Sequence, residues 1–466
     1  MTKRYRFRFN PEARPWHVFL PAKALSAQWW SPSLVLASGF AGLIVLGTAL
    51  LALPFASRAG ESAGFITSLF TATSAVCVTG LVVVDTHDFW APFGQAVIII
   101  LVQLGGFGLM TGATLLLLAF RHRVGVRERQ VIGESVGLNR LGGLVTLMKR
   151  IAVFMIVTEA LGMLALYFVL SPGLPADTAV WRAAFYAVSG FNNAGFDLEG
   201  GFRSLAGYAG DQGMLLTISA LVILGGLSFL VFIDLWHQRS FRGLTLDSKL
   251  ILVMTGSLLL GGTLIFLLME YQNTATLGPL DIPLKLLNAF FLSMTARTAG
   301  FATISIGALA DYSHLVLMIL MFIGGASGST SGGIKVGTFA LIMAVVASTV
   351  RGRSHPTLYG RELVPEQVGR ALALVALATG VIALSVLALS ITEELPFVPL
   401  LFESFSAFGT VGLSTGITPS LSPAGQIIIV LTMFIGRLGT LGLVFAMVIR
   451  HHEPAFRLPE EPIRIG

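Results

Sequence analysis

From Ser33 to Leu53 the chain runs without a charged side chain. At 1.5 Å per helical residue, such a run covers the ~30 Å hydrocarbon core of a bilayer, which takes about 20 residues. Seven more largely apolar runs follow, near 92–120, 150–170, 212–236, 248–270, 312–350, 368–391 and 422–450. Lipid admits only helices and closed barrels, and runs of this length predict helices. The expected fold is therefore an all-α polytopic membrane protein with eight full spans. Shorter Ser/Thr-rich runs at 62–76, 178–190, 283–295 and 397–409 each reach only part-way across. The order span, half-helix, span occurs four times. It divides the chain into an N-terminal arm (1–31), four repeats (32–121, 122–240, 241–352 and 353–450) and a tail (451–466).

Charge supports this layout. Of the 30 lysines and arginines, 23 fall in the N-terminal arm, the loops between repeats and the tail; five (Arg58, Arg182, Arg203, Lys285 and Arg297) fall on the opposite side. The positive-inside bias puts both termini in the cytoplasm and makes the chain a multi-pass protein of the cytoplasmic membrane. It also explains the net charge of +6 without nucleic acid. The opposite face carries thirteen acids, among them Asp85, Asp88, Asp197, Asp281 and Glu403, a field that would gather cations. A single cysteine, Cys77, forbids an internal disulfide and offers no metal cluster. No early apolar run with a small-residue cleavage site follows the basic arm, so no removable signal peptide is expected.

Each half-helix ends in a glycine motif: Val78-Thr79-Gly80-Leu81, Asn193-Ala194-Gly195-Phe196, Thr298-Ala299-Gly300-Phe301 and Thr410-Val411-Gly412-Leu413. A half-helix that stops inside the membrane and returns extended leaves carbonyls unpaired, which is tolerable only beside water or a bound ion. Four such turns about one axis would offer a ring of carbonyl oxygens to a dehydrated cation, helped by the negative ends of the helices. Glycine permits the required backbone and leaves the oxygens unobstructed.

Here the chain resembles the Trk/Ktr/HKT superfamily of potassium transporters, in particular its KtrB-type membrane subunit. The resemblance covers nearly the whole chain after residue 31. It rests on those four motifs, with Phe191-Asn192, Thr295-Ala296-Arg297 and Ser414-Thr415-Gly416 around them, and on the ending Phe456-Arg457-Leu458-Pro459-Glu460-Glu461. It implies helix, pore helix, helix repeats in a pseudo-fourfold arrangement around one pore. The implied selectivity filter is Val78, Thr79, Gly80, Asn193, Ala194, Gly195, Thr298, Ala299, Gly300, Thr410, Val411 and Gly412. K+ would sit at the carbonyls of Thr79, Gly80, Ala194, Gly195, Ala299, Gly300, Val411 and Gly412. Serine at the first glycine position goes with sodium preference in the plant relatives. This chain has Gly80, which favours K+ and leaves Na+ as the alternative substrate.

The last span of the third repeat is interrupted by Gly324-Gly325-Ala326-Ser327-Gly328-Ser329-Thr330-Ser331-Gly332-Gly333-Ile334-Lys335. So much glycine costs a helix up to ~1 kcal/mol per residue. A phosphate loop is excluded because Ile334, not lysine, follows Gly333. The resemblance implies an intramembrane gating loop there, and matches Arg437 to a pore-facing arginine that forms a barrier to cations and a contact for the loop. Lys335 either shares this work or snorkels to the cytoplasm. Glu159, mid-span, is expected to make an interhelical hydrogen bond, with a proton or ion site as the alternative.

No His-Glu-x-x-His, no intramembrane aspartate pair and no Gly-x-Ser-x-Gly with a matching histidine argues for an enzyme. The chain carries no nucleotide-binding unit and needs no cofactor of its own. The resemblance implies a homodimer in lipid and a cytoplasmic ring of KtrA-type subunits that bind ATP or ADP, docking on loops near 121–150, 237–247 and 351–366.

Overall fold

The computed structural model describes residues 32–108, 144–352, 357–358, 361–363 and 365–448. The N-terminal arm, much of the basic loop at 121–150 and the tail lie outside the described residues. Apart from a two-residue antiparallel hairpin, Thr357–Leu358 with Arg361–Glu362, the described regular structure is helical.

Among the described residues three helices are long and apolar enough to cross a membrane, Lys149–Leu170, Leu246–Glu270 and Gln367–Thr392. Only about a third of each is covered by the rest of the chain. Their outward faces carry bare leucine and isoleucine, such as Leu268, 80% exposed, and Ile391, 76% exposed. A soluble surface does not present such contiguous apolar stripes; lipid is the solvent that fits them. Four short helices, Phe65–Val76, Ala176–Phe191, Ile282–Thr295 and Phe397–Gly409, stand where the half-length runs are. Each is buried at its C-terminal end.

Four inner helices follow the glycine motifs: Pro92–Phe107, Gln212–Gly226, Asp311–Phe322 and Pro423–Val448. Proline at the first position starts two of them, and the Asp211 side chain caps another by accepting from Met214 N at 3.0 Å. Their packing is cyclic. Pro92–Phe107 packs on the second short helix, Gln212–Gly226 on the third, Asp311–Phe322 on the fourth, and Pro423–Val448 returns to the first.

The run expected to be one span at 212–236 is two helices. Gln212–Gly226 and Phe229–Gln238 meet at 89° across Leu227 and Ser228. Two glycines make the break cheap, and the Ser228 hydroxyl caps the new helix by accepting from Leu230 N. The interrupted span of the third unit breaks after Phe322 and resumes at Val336.

Candidate functional site

At the centre of the cycle the four glycine segments share one backbone form. The residue two before each glycine is left-handed: Val78, Asn193, Thr298 and Thr410 have φ of 54°, 59°, 67° and 49°. The glycines follow with φ of 92°, 70°, 78° and 93°. A left-handed β-branched residue costs energy, and three of the four are valine or threonine, so the surroundings hold this shape against its own preference. The hold is visible in the hydrogen bonds. Thr79 N, Ala194 N and Val411 N donate back to Ser74 O, Ser189 O and Ser406 O at 2.8–2.9 Å, and Ala299 N to Thr295 O at 3.0 Å. In the first, second and fourth units this bond, five residues back, closes the short helix in the manner of a Schellman turn; in the third it reaches four residues back. In a trans peptide the N–H and the preceding C=O point oppositely, so the carbonyls of Val78, Asn193, Thr298 and Thr410 are aimed away from their helices.

The segments meet in sequence order. A Cβ placed on Gly80 would run into Ala194 O and lie 3.2 Å from Gly195 Cα; on Gly195 it would lie 2.7 Å from Gly300 Cα and 2.8 Å from Ala299 O. On Gly300 it would lie 2.6 Å from Val411 O and 3.3 Å from Gly412 Cα, and on Gly412 it would run into Thr79 O. Each glycine therefore faces the carbonyl preceding the next glycine, and the fourth faces the first. The buried hydroxyls of Thr79, Thr298 and Thr410 have no partner among the described residues.

The stretch from Gly324 to Lys335 lies against the helix-end side of this ring. Its ends are tied by Gly324 N to Ile334 O at 2.8 Å and Val336 N to Gly325 O at 3.0 Å. Ala326 N donates to Gly226 O at 3.1 Å and Thr330 N to Gly225 O at 3.2 Å, the carbonyls that the bend in the second inner helix frees. Ser329 caps a turn on Ala326 O at 2.7 Å. Ser331 Oγ is 3.1 Å from the Asn193 amide; with that amide turned so that its nitrogen serves Val222 O, its oxygen accepts the serine proton. Gly332 and Gly333 press against Thr410 and Gly409. Gly328 has φ of 77° beside Ser228, whereas Ser327 is exposed. Arg437 donates to Thr330 O at 2.6 Å and to Gly105 O at 2.7 Å, bridging the loop to the first inner helix. Lys335 folds back on Ser331 O within its own loop rather than snorkelling away.

The profile of the TrkH cation transport proteins matches residues 23–457. The chain belongs to the TrkH family. Its relatives are ion transporters and not enzymes. The TrkH-family chain is 38% identical to the potassium/sodium uptake protein NtpJ of Enterococcus hirae over 442 residues, 94% of this chain and 97% of that one. It is 38% identical to the Ktr system potassium uptake protein B of Bacillus subtilis over 439 residues, again 94% and 97%, and 36% identical over 442 residues to that of Vibrio alginolyticus, 94% and 96%. The crystal structure of the potassium transporter TrkH from Vibrio parahaemolyticus superposes with a TM-score of 0.69 at 17% identity, covering 92% of this chain and 86% of that one. That likeness bears on the fold alone.

Sequence reading missed a second repeat in this TrkH-family chain. Leu104-Gly105-Gly106, Leu224-Gly225-Gly226 and Ile435-Gly436-Arg437 lie on the inner helices, and Ile323-Gly324-Gly325 follows directly where the third inner helix ends. A Cβ at Gly105, Gly225 or Gly436 would enter the carbonyl oxygen of Val76, Phe191 or Phe408, at the ends of the short helices. These glycines let the inner helices seat directly under the ring, and Arg437 stands where the other three units have their second glycine. The signal was the recurrence of Leu or Ile before a glycine 25, 30, 24 and 24 residues after the successive filter glycines, not the composition.

Two other expectations need correction. Arg297, counted with the acidic face, is buried (8% exposed), and its only described partner is Thr255 Oγ1 at 3.3 Å, inside the helix Leu246–Glu270. Several acids of that face are also not free field charges. Glu403 is fully buried and accepts from Thr418 Oγ1. Asp85 takes Phe202 N at 2.7 Å, and Asp88 takes Gly201 N at 2.9 Å, clasping the loops of two units together. Glu159 is the interhelical bond of the alternatives: it accepts from Gln103 at 3.0 Å and from Asn192, just before the second glycine segment, at 3.1 Å.

Proposed function

We propose that this protein takes up K+ across the cytoplasmic membrane through a selectivity filter made of Val78-Thr79-Gly80, Asn193-Ala194-Gly195, Thr298-Ala299-Gly300 and Thr410-Val411-Gly412. The observation that carries the reading is the closed cycle of four left-handed glycines, each facing a neighbour's carbonyl. Such a ring suits a cation that exchanges water for protein oxygen. The three unpartnered threonine hydroxyls add oxygens of the same kind. In this reading the four units stand in pseudo-fourfold order around one pore with eight spans, and both termini lie in the cytoplasm. The loop from Gly324 to Lys335 closes the pore, and Arg437 latches it while repelling cations. The relatives named as Ktr system potassium uptake protein B belong to a multi-part system by that name, and in this reading the chain is a homodimer regulated by a separate cytoplasmic nucleotide-binding ring.

A sodium-permeable carrier is the second reading, favoured by the relative named for both potassium and sodium uptake. Flux into liposomes holding the purified chain separates the two. Potassium uptake that a tenfold excess of Na+ leaves standing supports the first; equal competition supports the second, and no cation flux with either ion removes both.

A further inference from the structure

Behind the glycine segments stand four fully buried hydroxyls, one on each short helix: Ser74, Ser189, Thr295 and Ser406. Their hydrogen bonds fall into two classes. In the first and fourth units the hydroxyl accepts the glycine's own N–H, Gly80 N to Ser74 Oγ and Gly412 N to Ser406 Oγ, both at 3.1 Å. In the second and third units it donates to the carbonyl after the glycine, Ser189 Oγ to Phe196 O at 2.8 Å and Thr295 Oγ1 to Phe301 O at 2.6 Å. The split follows the sequence. Glycine is followed by leucine in the first class and phenylalanine in the second.

The two bonds have opposite effects on the carbonyls. Holding the N–H of Gly80 or Gly412 toward the helix turns the C=O of Thr79 or Val411 away from it, because the peptide unit is planar and trans. Those two oxygens are the ones that meet Gly412 and Gly300 in the ring. Donating to Phe196 O or Phe301 O instead draws that carbonyl back to the helix and occupies one of its two lone pairs there.

We propose that Ser74, Ser189, Thr295 and Ser406 are positioning residues that decide which carbonyls face the ion. This rests on the filter reading above. Two hydroxyls lock the layer at the residues before the glycines. The other two remove their units from the layer after the glycines, so that layer has at most two main-chain oxygens, from Leu81 and Leu413. The filter is then fourfold in its deeper layers and twofold at its outer edge. A transported ion meets a complete oxygen ring only after passing a half-built one.

The test uses the full-length chain in liposomes, with K+ and Na+ fluxes measured separately. Ser74→Ala and Ser406→Ala each strand a buried glycine N–H and release the carbonyl before it. The K+/Na+ flux ratio should fall about tenfold, the scale of one unsatisfied buried donor. Ser189→Ala and Thr295→Val free an outer carbonyl to join its layer. The ratio should move less than about threefold, and the K+ concentration for half-maximal flux should drop by about that factor. Thr295→Ser keeps the donor and should restore the parent value. If the two acceptor variants hold the ratio within twofold while Gly80→Ala lowers it, the positioning role is wrong and the filter stands. If Gly80→Ala also leaves the ratio alone, the filter reading itself falls. Equal losses of ratio in all four hydroxyl variants would overturn the two classes, and unmoved half-saturation in the donor pair would overturn the half-built outer layer.

Discussion

The substitution Gly80→Ala isolates what one methyl group does to the ring. At φ of 92° an L-residue is outside its comfortable range, a cost of roughly 1–2 kcal/mol. The new Cβ would also run into Ala194 O and sit 3.2 Å from Gly195 Cα, and both are main-chain atoms of a segment tied back to its helix. Forcing packed backbone aside costs roughly 1–3 kcal/mol more. Together the two amount to about 2–5 kcal/mol, or about 30-fold to more than a thousandfold at 1.36 kcal/mol per decade. Potassium-dependent growth of cells without their own uptake systems, and Rb+ uptake normalised to the amount of protein in the membrane, should both drop by at least the lower figure. Gly60→Ala is the control, because Gly60 has φ of 71° but nothing within 4 Å of a Cβ. It carries the backbone cost alone and should leave uptake unchanged. Wild-type uptake and selectivity in Gly80→Ala, at wild-type protein level, would refute the crowding argument and with it the ring as the site of selection.

Other substitutions probe the surroundings of the ring. Arg437→Gln keeps a donor but removes the charge and one arm of the bridge to Thr330 O and Gly105 O, so basal K+ flux should rise several-fold; flux at or below the parent's would argue against a latch. Gly225→Ala drives a methyl into Phe191 O and should lower thermal stability by about 1–3 kcal/mol, read as a fall in melting temperature in detergent. Burial works to raise the Glu393 carboxyl, yet hydrogen bonds from Ser422 and its neighbours outweigh it and hold the group below the usual glutamate range. Its contribution to stability is therefore fully present above pH ~4.3 and lost as pH falls through the lower folded value. Glu393→Gln should flatten that acid limb of the melting curve, and an unchanged limb would assign the acid loss elsewhere.

Much of this arrangement was legible because it is written locally. A half-length run closed by glycine is a contiguous signal, and so is the glycine-rich interruption before Lys335. The right-angle bend at Leu227 was not, since a hydropathy run continues through its two glycines and the donors that take up the freed carbonyls lie about a hundred residues away, at Ala326 and Thr330. The burial of Glu403 and Arg297 was hidden for a related cause. Charge counting assigns a residue to a side by its position between runs, whereas burial of Glu403 against Thr418 and of Arg297 against Thr255 is a matter of tertiary packing. The seats at Gly105, Gly225 and Gly436 were hidden among 52 glycines and become visible only when counted from the ring outward.

The loop's attachments differ in a way that bears on how such proteins diverge. Toward the second unit it is held by main-chain donors, Ala326 N and Thr330 N, on main-chain carbonyls, with the Thr330 hydroxyl on Gly225 O and the Ser331–Asn193 pair beside them. Toward the first and fourth units it is held by one side chain, Arg437. Point mutation erases side-chain bonds freely but touches main-chain ones only by introducing proline. Variation at position 437 can thus remove the whole of one attachment, whereas on the opposite side it can remove only the side-chain part and leaves the main-chain bonds standing. One anchor is inherited with the fold, and the other is open to adjustment one residue at a time.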